Sequence, residues 1–317
     1  MVFPGQGSQS VGMMAGFDAH PAIRATFDEA SSVLGQDLWS LVTAGPESDL
    51  NQTVNTQPAM LTAGVAVWRA WRAAGGPVPM VVAGHSLGEY SALVAAGALA
   101  FEDALPLVRF RAQAMQEAVP AGVGAMAAIL GLDAAAVAAV CREAEVGGDG
   151  RQVVESVNFN GPEQIVIAGH KEAVLRAIAL ATAKGAKRGL LLPVSAPFHS
   201  SLLQPAAERL AIRLAAVNFK APAIPVLHNV DVAARPDPDA IRTALAQQAA
   251  SPVRWVEIIE AFAARGVTQV VECGPGRVLT GLNKRIVREL KSFALTDGTD
   301  IDAARVALTG GPPGESA

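Results

Sequence analysis

Short apolar runs of strand character alternate with longer Ala-rich helical stretches along almost the whole of this 317-residue chain. That alternation admits few architectures. When each strand leads into a helix that carries the chain back across the sheet, neighbouring strands pair in parallel, so the pattern predicts an α/β protein built on a mainly parallel sheet. About half of the residues (51%) are apolar, enough for a large core. They come in short runs, none of which reaches the roughly 18 uninterrupted positions of a membrane span.

The opening Met1-Val2-Phe3-Pro4-Gly5-Gln6-Gly7 lacks a charged segment leading into an apolar one with a cleavage site, so no secretory signal is read and the cytoplasm is the expected compartment. Cys141 and Cys273 have neither disulfide nor metal-ligand spacing and read as buried, reduced thiols. A net charge of −4 without a long Lys/Arg run gives no overall attraction for nucleic acid, and an anionic partner would need a local basic patch. Because the histidines and carboxylates show no ligand spacing, no metal and no resident cofactor are expected. Nothing in the pattern implies an oligomer.

Between residues 123 and 191 the order becomes self-contained: strand 125–130, helix 134–144, a hairpin of strands 153–157 and 164–168 around Asn160-Gly161-Pro162, helix 172–184 and strand 188–194. This βαββαβ order predicts a ferredoxin-like small subdomain inserted into the larger one, with a substrate cleft between them. The division is therefore 1–122 with 192–295 for the large catalytic unit, 123–191 for the insert, and a tail over 296–317. The Gly, Asp and Pro of that tail, ending in Gly310-Gly311-Pro312-Pro313-Gly314, predict partial disorder.

Gly84-His85-Ser86-Leu87-Gly88 matches G-x-S-x-G and lies between a predicted strand, 80–83, and a predicted helix, 89–96. In that strand–turn–helix context the motif makes the large unit α/β-hydrolase-like and Ser86 a nucleophile, with the Leu87 N–H as one oxyanion donor. The bland alternative is a tight turn whose serine caps a helix. Of five histidines, His20 lies in a loop before a helix, His85 points away from its neighbour Ser86, His170 begins a helix of the insert, and His228 sits in the strand-like 225–229 as a structural residue. His199, in the loop after strand 190–195, remains as the base. No acid stands out as a third member, Asp133, Asp149 and Glu163 all belonging to the insert, so a dyad with a main-chain carbonyl orienting the imidazole is expected. The predicted helix 102–117 carries Arg109 and Arg111, which cannot share a face; the residues alone do not choose between them.

Taken together, Phe3-Pro4-Gly5-Gln6-Gly7-Ser8-Gln9, the elbow extended to Glu89, Gln113 to Pro120 and Val194 to His199 resemble the malonyl-CoA:acyl carrier protein transacylases, over the chain from its start to about Arg288. The resemblance implies transfer of a malonyl group from malonyl-CoA to the phosphopantetheine thiol of acyl carrier protein, by a ping-pong Ser86–His199 dyad through a malonyl-serine. It further implies oxyanion donors at the main chain of Gln6 and Leu87, Arg111 as the partner of the malonyl carboxylate, and the Gln248 carbonyl as the group holding His199. Related polyketide acyltransferases that select malonyl units carry a phenylalanine before the histidine, as Phe198 does here. Acyl carrier proteins are acidic, and Lys184, Lys187 and Arg188 or Lys284, Arg285 and Arg288 are the candidate docking clusters. Family members carry several residues before the phenylalanine, forming the front of the first strand; their absence here bears on the stability of that strand rather than on the chemistry. An esterase or thioesterase, and a non-catalytic carrier-protein binding module, are the competing readings.

Overall fold

The computed structural model describes residues 1–17, 20–147, 150–194 and 196–310. Its strands are β1 (Val2–Phe3), β2 (Val82–Gly84), β3 (Gly124–Leu130), β4 (Val146–Gly147), β5 (Gly150–Arg151), β6 (Val154–Gly161), β7 (Gln164–His170), β8 (Arg188–Leu191), β9 (Val226–Leu227), β10 (Gln269–Cys273) and β11 (Lys291–Leu295). Five form an all-parallel sheet in the order β11-β10-β1-β2-β9. Although β1 has only two residues it is central, with Val2 opposite both Glu272 and Ala83 and Phe3 opposite Gly84.

Successive residues of a strand face opposite sides of a sheet, and this sheet is buried on both. Val2, Ala83 and Val270 pack with Trp255, Ile258 and Phe262 of the helix Trp255–Ala264. Phe3, Val82 and Val271 face the other way, into the larger core built on the helix Thr53–Ala73. Continuous apolar strands are thus required here, which is why they read as runs rather than as alternation.

The insert forms a separate four-stranded antiparallel sheet, β6-β7-β3-β8, as the βαββαβ order predicts. One face carries Ala127, Ile129, Ile165 and Ile167 against the helices Ala134–Ala144 and Lys171–Ala183. The other face turns Met126 and Val166 into the large core and the cavity described below. The predicted strand 188–194 ends at Leu191, because Pro193 has no N–H to extend a ladder; Ser195 lies outside the described residues.

The tail expectation needs correction. Residues 298–309 form the helix Gly298–Thr309, whose Ile301 and Ala304 are buried. Asp297 caps it by accepting from Asp300 N at 2.8 Å, and Gly310 closes it in the left-handed conformation at φ 68°. Of the Asp and Gly that suggested disorder, Asp297 and Gly310 are the caps of an ordered helix. Residues 311–317 lie outside the described residues.

Glycine is required at two positions around the Ser86 turn. A Cβ at Gly84 would lie 1.8 Å from the Gly88 carbonyl carbon, and one at Gly88 would lie 2.1 Å from the Phe3 carbonyl oxygen. Both obstacles are backbone, so neither can swing aside. Gly84→Ala and Gly88→Ala should each lower stability by about 3 kcal/mol or more in urea denaturation. Gly281→Ala, where the nearest atom is the flexible end of Arg285 at 3.9 Å, should be neutral or stabilising. A wild-type midpoint for either elbow variant would contradict this close packing.

Candidate active site

Strand β2 delivers the chain to Ser86, and the helix Gly88–Ala95 leaves from it. Ser86 adopts φ 51°, a left-handed conformation that costs a non-glycine residue about 1 kcal/mol or more. Two side-chain amides hold it there. Ser86 N donates to Asn229 Oδ1 at 2.7 Å, and Ser86 O accepts from Gln248 Nε2 at 3.0 Å. Asn229 Nδ2 in turn donates to Gly84 O at 2.7 Å, so one asparagine spans the turn.

His199 also has a left-handed backbone, φ 67°, and is buried. Its Nδ1–H donates to the main-chain carbonyl of Gln248 at 2.9 Å, which leaves Nε2 free to accept from the Ser86 hydroxyl at 2.7 Å. Burial, and secondarily the positive charge of Arg111, push the His199 pKa down to about 3, so the imidazole rests neutral. Gln6 and Leu87 line the same cavity, and their main-chain N–H groups have no hydrogen-bond partner among the described residues. They are donors available to an oxyanion.

Arg111, on the helix Phe101–Glu117, is 1% exposed. It donates to Gln57 Oε1 at 2.8 Å, Gln248 Oε1 at 2.9 Å and Ser86 Oγ at 3.2 Å, and lies over the Tyr90 ring at 5.5 Å. None of these partners is a carboxylate. Arg109 takes the other face, but it does not stand free in water. It donates to Leu34 O at 3.2 Å and to the Gln36 side chain, at the end of the helix Pro21–Leu34. The two arginines are separated as the helical geometry requires, and the structure puts Arg111 beside the serine.

These groups meet in a cavity of about 160 Å³ lined by Gln6, Gln57, Ser86, Arg111 and His199 from the large unit and by Met126, Asn158 and Asn160 from the insert. His85 turns away from the serine, as the sequence suggested, and its Nε2–H donates to Asn160 Oδ1 at 2.7 Å, tying the turn to the insert. His170 accepts from Val153 N at 2.9 Å, and His20 precedes the helix Pro21–Leu34; both lie away from this cavity.

Sequence reasoning missed Gln57, Glu89 and Asn229. Glu89 and His228 are fully buried, with His228 Nδ1–H donating to Glu89 Oε1 at 2.7 Å. The only signal for Glu89 was its place one residue beyond the motif, which equally suits an ordinary first-turn carboxylate on a helix. Gln57 and Asn229 carried no signal, since their roles depend on strands and helices distant in sequence. One member of each basic cluster treated as an alternative comes to the same place: Lys187 pairs with Glu163 at 3.2 Å and Arg285 donates to the adjacent Gln164 at 2.5 Å. Both reach the turn between β6 and β7. Lys184 instead pairs with Glu143 on the insert's own helix.

Among the described residues no group of three His, Cys, Asp or Glu side chains could hold a metal ion, and no helix is long and apolar enough to cross a membrane.

Residues 1–307 match the family described as the acyl transferase domain. The malonyl CoA-acyl carrier protein transacylase of Escherichia coli strain K12 is 56% identical over 304 residues, covering 96% of this chain and 97% of the relative. The crystal structure of the acyl-carrier-protein S-malonyltransferase from Burkholderia pseudomallei superposes with a TM-score of 0.93 at 60% identity, covering 96% of this chain and 97% of that one. A malonyl-transacylase solved in complex with its type II polyketide acyl-carrier protein does so with a TM-score of 0.94 at 52% identity, covering 97% and 98%. With a serine–histidine pair, a buried arginine and this two-sheet fold in place, the chain belongs to the acyl transferase domain family and, within it, to the malonyl CoA-acyl carrier protein transacylases.

Proposed function

We propose that this protein moves malonyl from malonyl-CoA to the phosphopantetheine thiol of acyl carrier protein, supplying the extender unit of fatty-acid synthesis, through a malonyl ester on Ser86. The observation that carries the reading is the Arg111 guanidinium, buried 3.2 Å from the nucleophile with no carboxylate partner. A buried charge left unpaired is unfavourable, and an acyl group ending in a carboxylate supplies the missing partner. The planar fork of arginine can grip both carboxylate oxygens. An esterase acting on neutral acyl groups would gain nothing from such a charge. The solved complex of a relative with an acyl-carrier protein supports the partner, and a cytoplasmic location, where free thiols such as Cys141 and Cys273 persist, fits the same reading.

The chemistry follows from the contacts. His199 Nε2 takes the Ser86 proton as Oγ attacks the thioester carbonyl, and the oxyanion is received by the Gln6 and Leu87 N–H groups. Collapse expels the CoA thiolate, which leaves with the proton from His199. The carrier-protein thiol then gives its proton to His199 and attacks the serine ester, and the second collapse returns Ser86 to its resting form. Gln248 keeps the imidazole in the required tautomer through its carbonyl.

Intact-mass measurement tests the reading. The wild-type protein mixed with malonyl-CoA should gain one malonyl mass, Ser86→Ala should gain none, and His199→Ala should acylate on the order of a hundredfold or more slowly. Rapid free malonate would favour a hydrolase, and an unchanged wild-type mass a binding module. Arg111→Ala should lower kcat/KM for malonyl-CoA by on the order of a hundredfold or more and raise the ratio of acetyl to malonyl transfer. Arg109→Ala should leave that ratio alone, and an unchanged preference in Arg111→Ala would remove the selectivity argument.

The pH dependence has a determined sign. With its pKa lowered to about 3 in the free enzyme, His199 is unprotonated throughout the neutral and mildly acidic range. The acid limb of kcat/KM should therefore fall well below the ordinary histidine value of about 6.5. A malonyl carboxylate on Arg111 removes part of the repulsion that depresses His199, so the limb in kcat should lie at higher pH than the limb in kcat/KM. A kcat/KM limb at the ordinary value would contradict the buried, arginine-flanked base.

A further inference from the structure

We propose that Glu89 is a positioning residue that sets acyl selectivity without touching substrate, by fixing which way the Gln248 amide faces. The inference rests on the malonyl-transfer reading and deepens it.

The two ends of a glutamine amide have the same shape, and the surrounding donors and acceptors decide which end points where. Gln248 is fully buried, so its amide cannot be satisfied by water. Its Nε2 lies 2.9 Å from Glu89 Oε2 and 3.0 Å from Ser86 O, two acceptors with no hydrogen to offer. Its Oε1 lies 2.9 Å from an Arg111 nitrogen, which can only donate. Reversing the amide would set oxygen against a carboxylate and a carbonyl, and NH₂ against a guanidinium. One orientation is allowed.

Glu89 is itself held on three sides. His228 Nδ1 donates to Oε1 at 2.7 Å, and Asn229 N donates to Oε2 at 2.9 Å alongside Gln248. The carboxylate comes from the first turn of the helix that follows Ser86, and so moves with the nucleophile. Through Gln248 it aims a carbonyl dipole at Arg111, and through Asn229 it steadies the Ser86 turn. Loss of the acceptor at position 89 leaves Ser86 O alone to hold Nε2, so the amide is held less firmly. The Arg111 fork is then anchored less firmly by Gln248 and is less well placed for a carboxylate.

Disturbance of Ser86 slows every acyl donor alike, whereas disturbance of Arg111, which also contacts Ser86, falls more heavily on malonyl, the donor with a carboxylate to pair. The test is therefore kcat/KM for malonyl-CoA and acetyl-CoA in Glu89→Leu and Glu89→Gln. Glu89→Leu should lower the malonyl-to-acetyl ratio by about tenfold or more, the loss expected from one charge-assisted hydrogen bond. Glu89→Gln retains an oxygen able to accept from Gln248, and should keep the ratio within about threefold of wild type, since a neutral acceptor holds roughly half as strongly. If Glu89→Leu does not fold, Gln248→Met replaces it, removing the amide while the main-chain carbonyl still receives His199; the same fall in ratio is expected. Equal losses for both donors, or an unchanged ratio in the variant that folds, would overturn the proposal. The wild-type protein runs alongside by intact mass: failure to form malonyl-serine there would count against the transferase reading itself, not against the role of Glu89.

Discussion

The guanidinium of Arg111 is held out of water with neutral partners, and that unusual placement organises the groups around it. Gln57 and Gln248 each turn an amide oxygen to it, the Tyr90 ring covers one side, and the Ser86 hydroxyl completes its contacts. The nearest compensating charge, Glu89, is reached only through the Gln248 amide. Such an arrangement leaves the site's positive potential directed at the cavity, where an anionic acyl group can use it. The same charge acts on the base. Together with burial it keeps His199 neutral, the state in which Nε2 can accept the serine proton.

Burial on this scale requires cover from several directions. Three neighbouring parallel strands end at the site: Gln6 follows β1, Ser86 follows β2, and His228 and Asn229 follow β9. Parallel strands present their C-terminal ends on one side, so segments more than a hundred residues apart meet there. The insert closes the cavity with the face of its sheet that its own helices leave open, using Met126, Val166, Asn158 and Asn160. Backbone bonds between Phe159 N and Val253 O and between Val253 N and Val157 O join that sheet to the large unit at 3.0 and 2.8 Å. The conformational strain of Ser86 and His199 is held by this surrounding structure rather than by the turns themselves.

How far the sequence could be read varied with the range of the interaction. The elbow was legible because its sharp turn demands small residues around the serine: Gly84 must clear the Gly88 backbone four residues on, while the demand on Gly88 comes from the distant Phe3 carbonyl. The insert was legible because each of its strands and helices announces itself by its own period. Its hairpin closes at Pro162, between β6 and β7, close to the predicted turn. The terminal helix was misread for a local reason: Asp and Gly, here Asp297 and Gly310, serve both in loops and as helix caps, and the burial of Ile301 and Ala304 distinguishes the two.

By itself the sequence determined the alternation that makes a parallel sheet, the separate antiparallel unit, the strand–turn–helix around Ser86, and a helix on which Arg109 and Arg111 must face apart. These are consequences of backbone sterics and side-chain period, which act over a few residues. Tertiary structure decided which arginine meets the serine, that Gln248 serves His199 with its carbonyl and Arg111 with its amide, and that Glu89 is a buried hub instead of a surface carboxylate. Hydrogen bonds between residues far apart in sequence, such as Gln248 to Ser86 at 162 positions, exist only once the sheet has brought strand ends together. No local pattern encodes them, because any polar side chain can be solvated until folding removes the water.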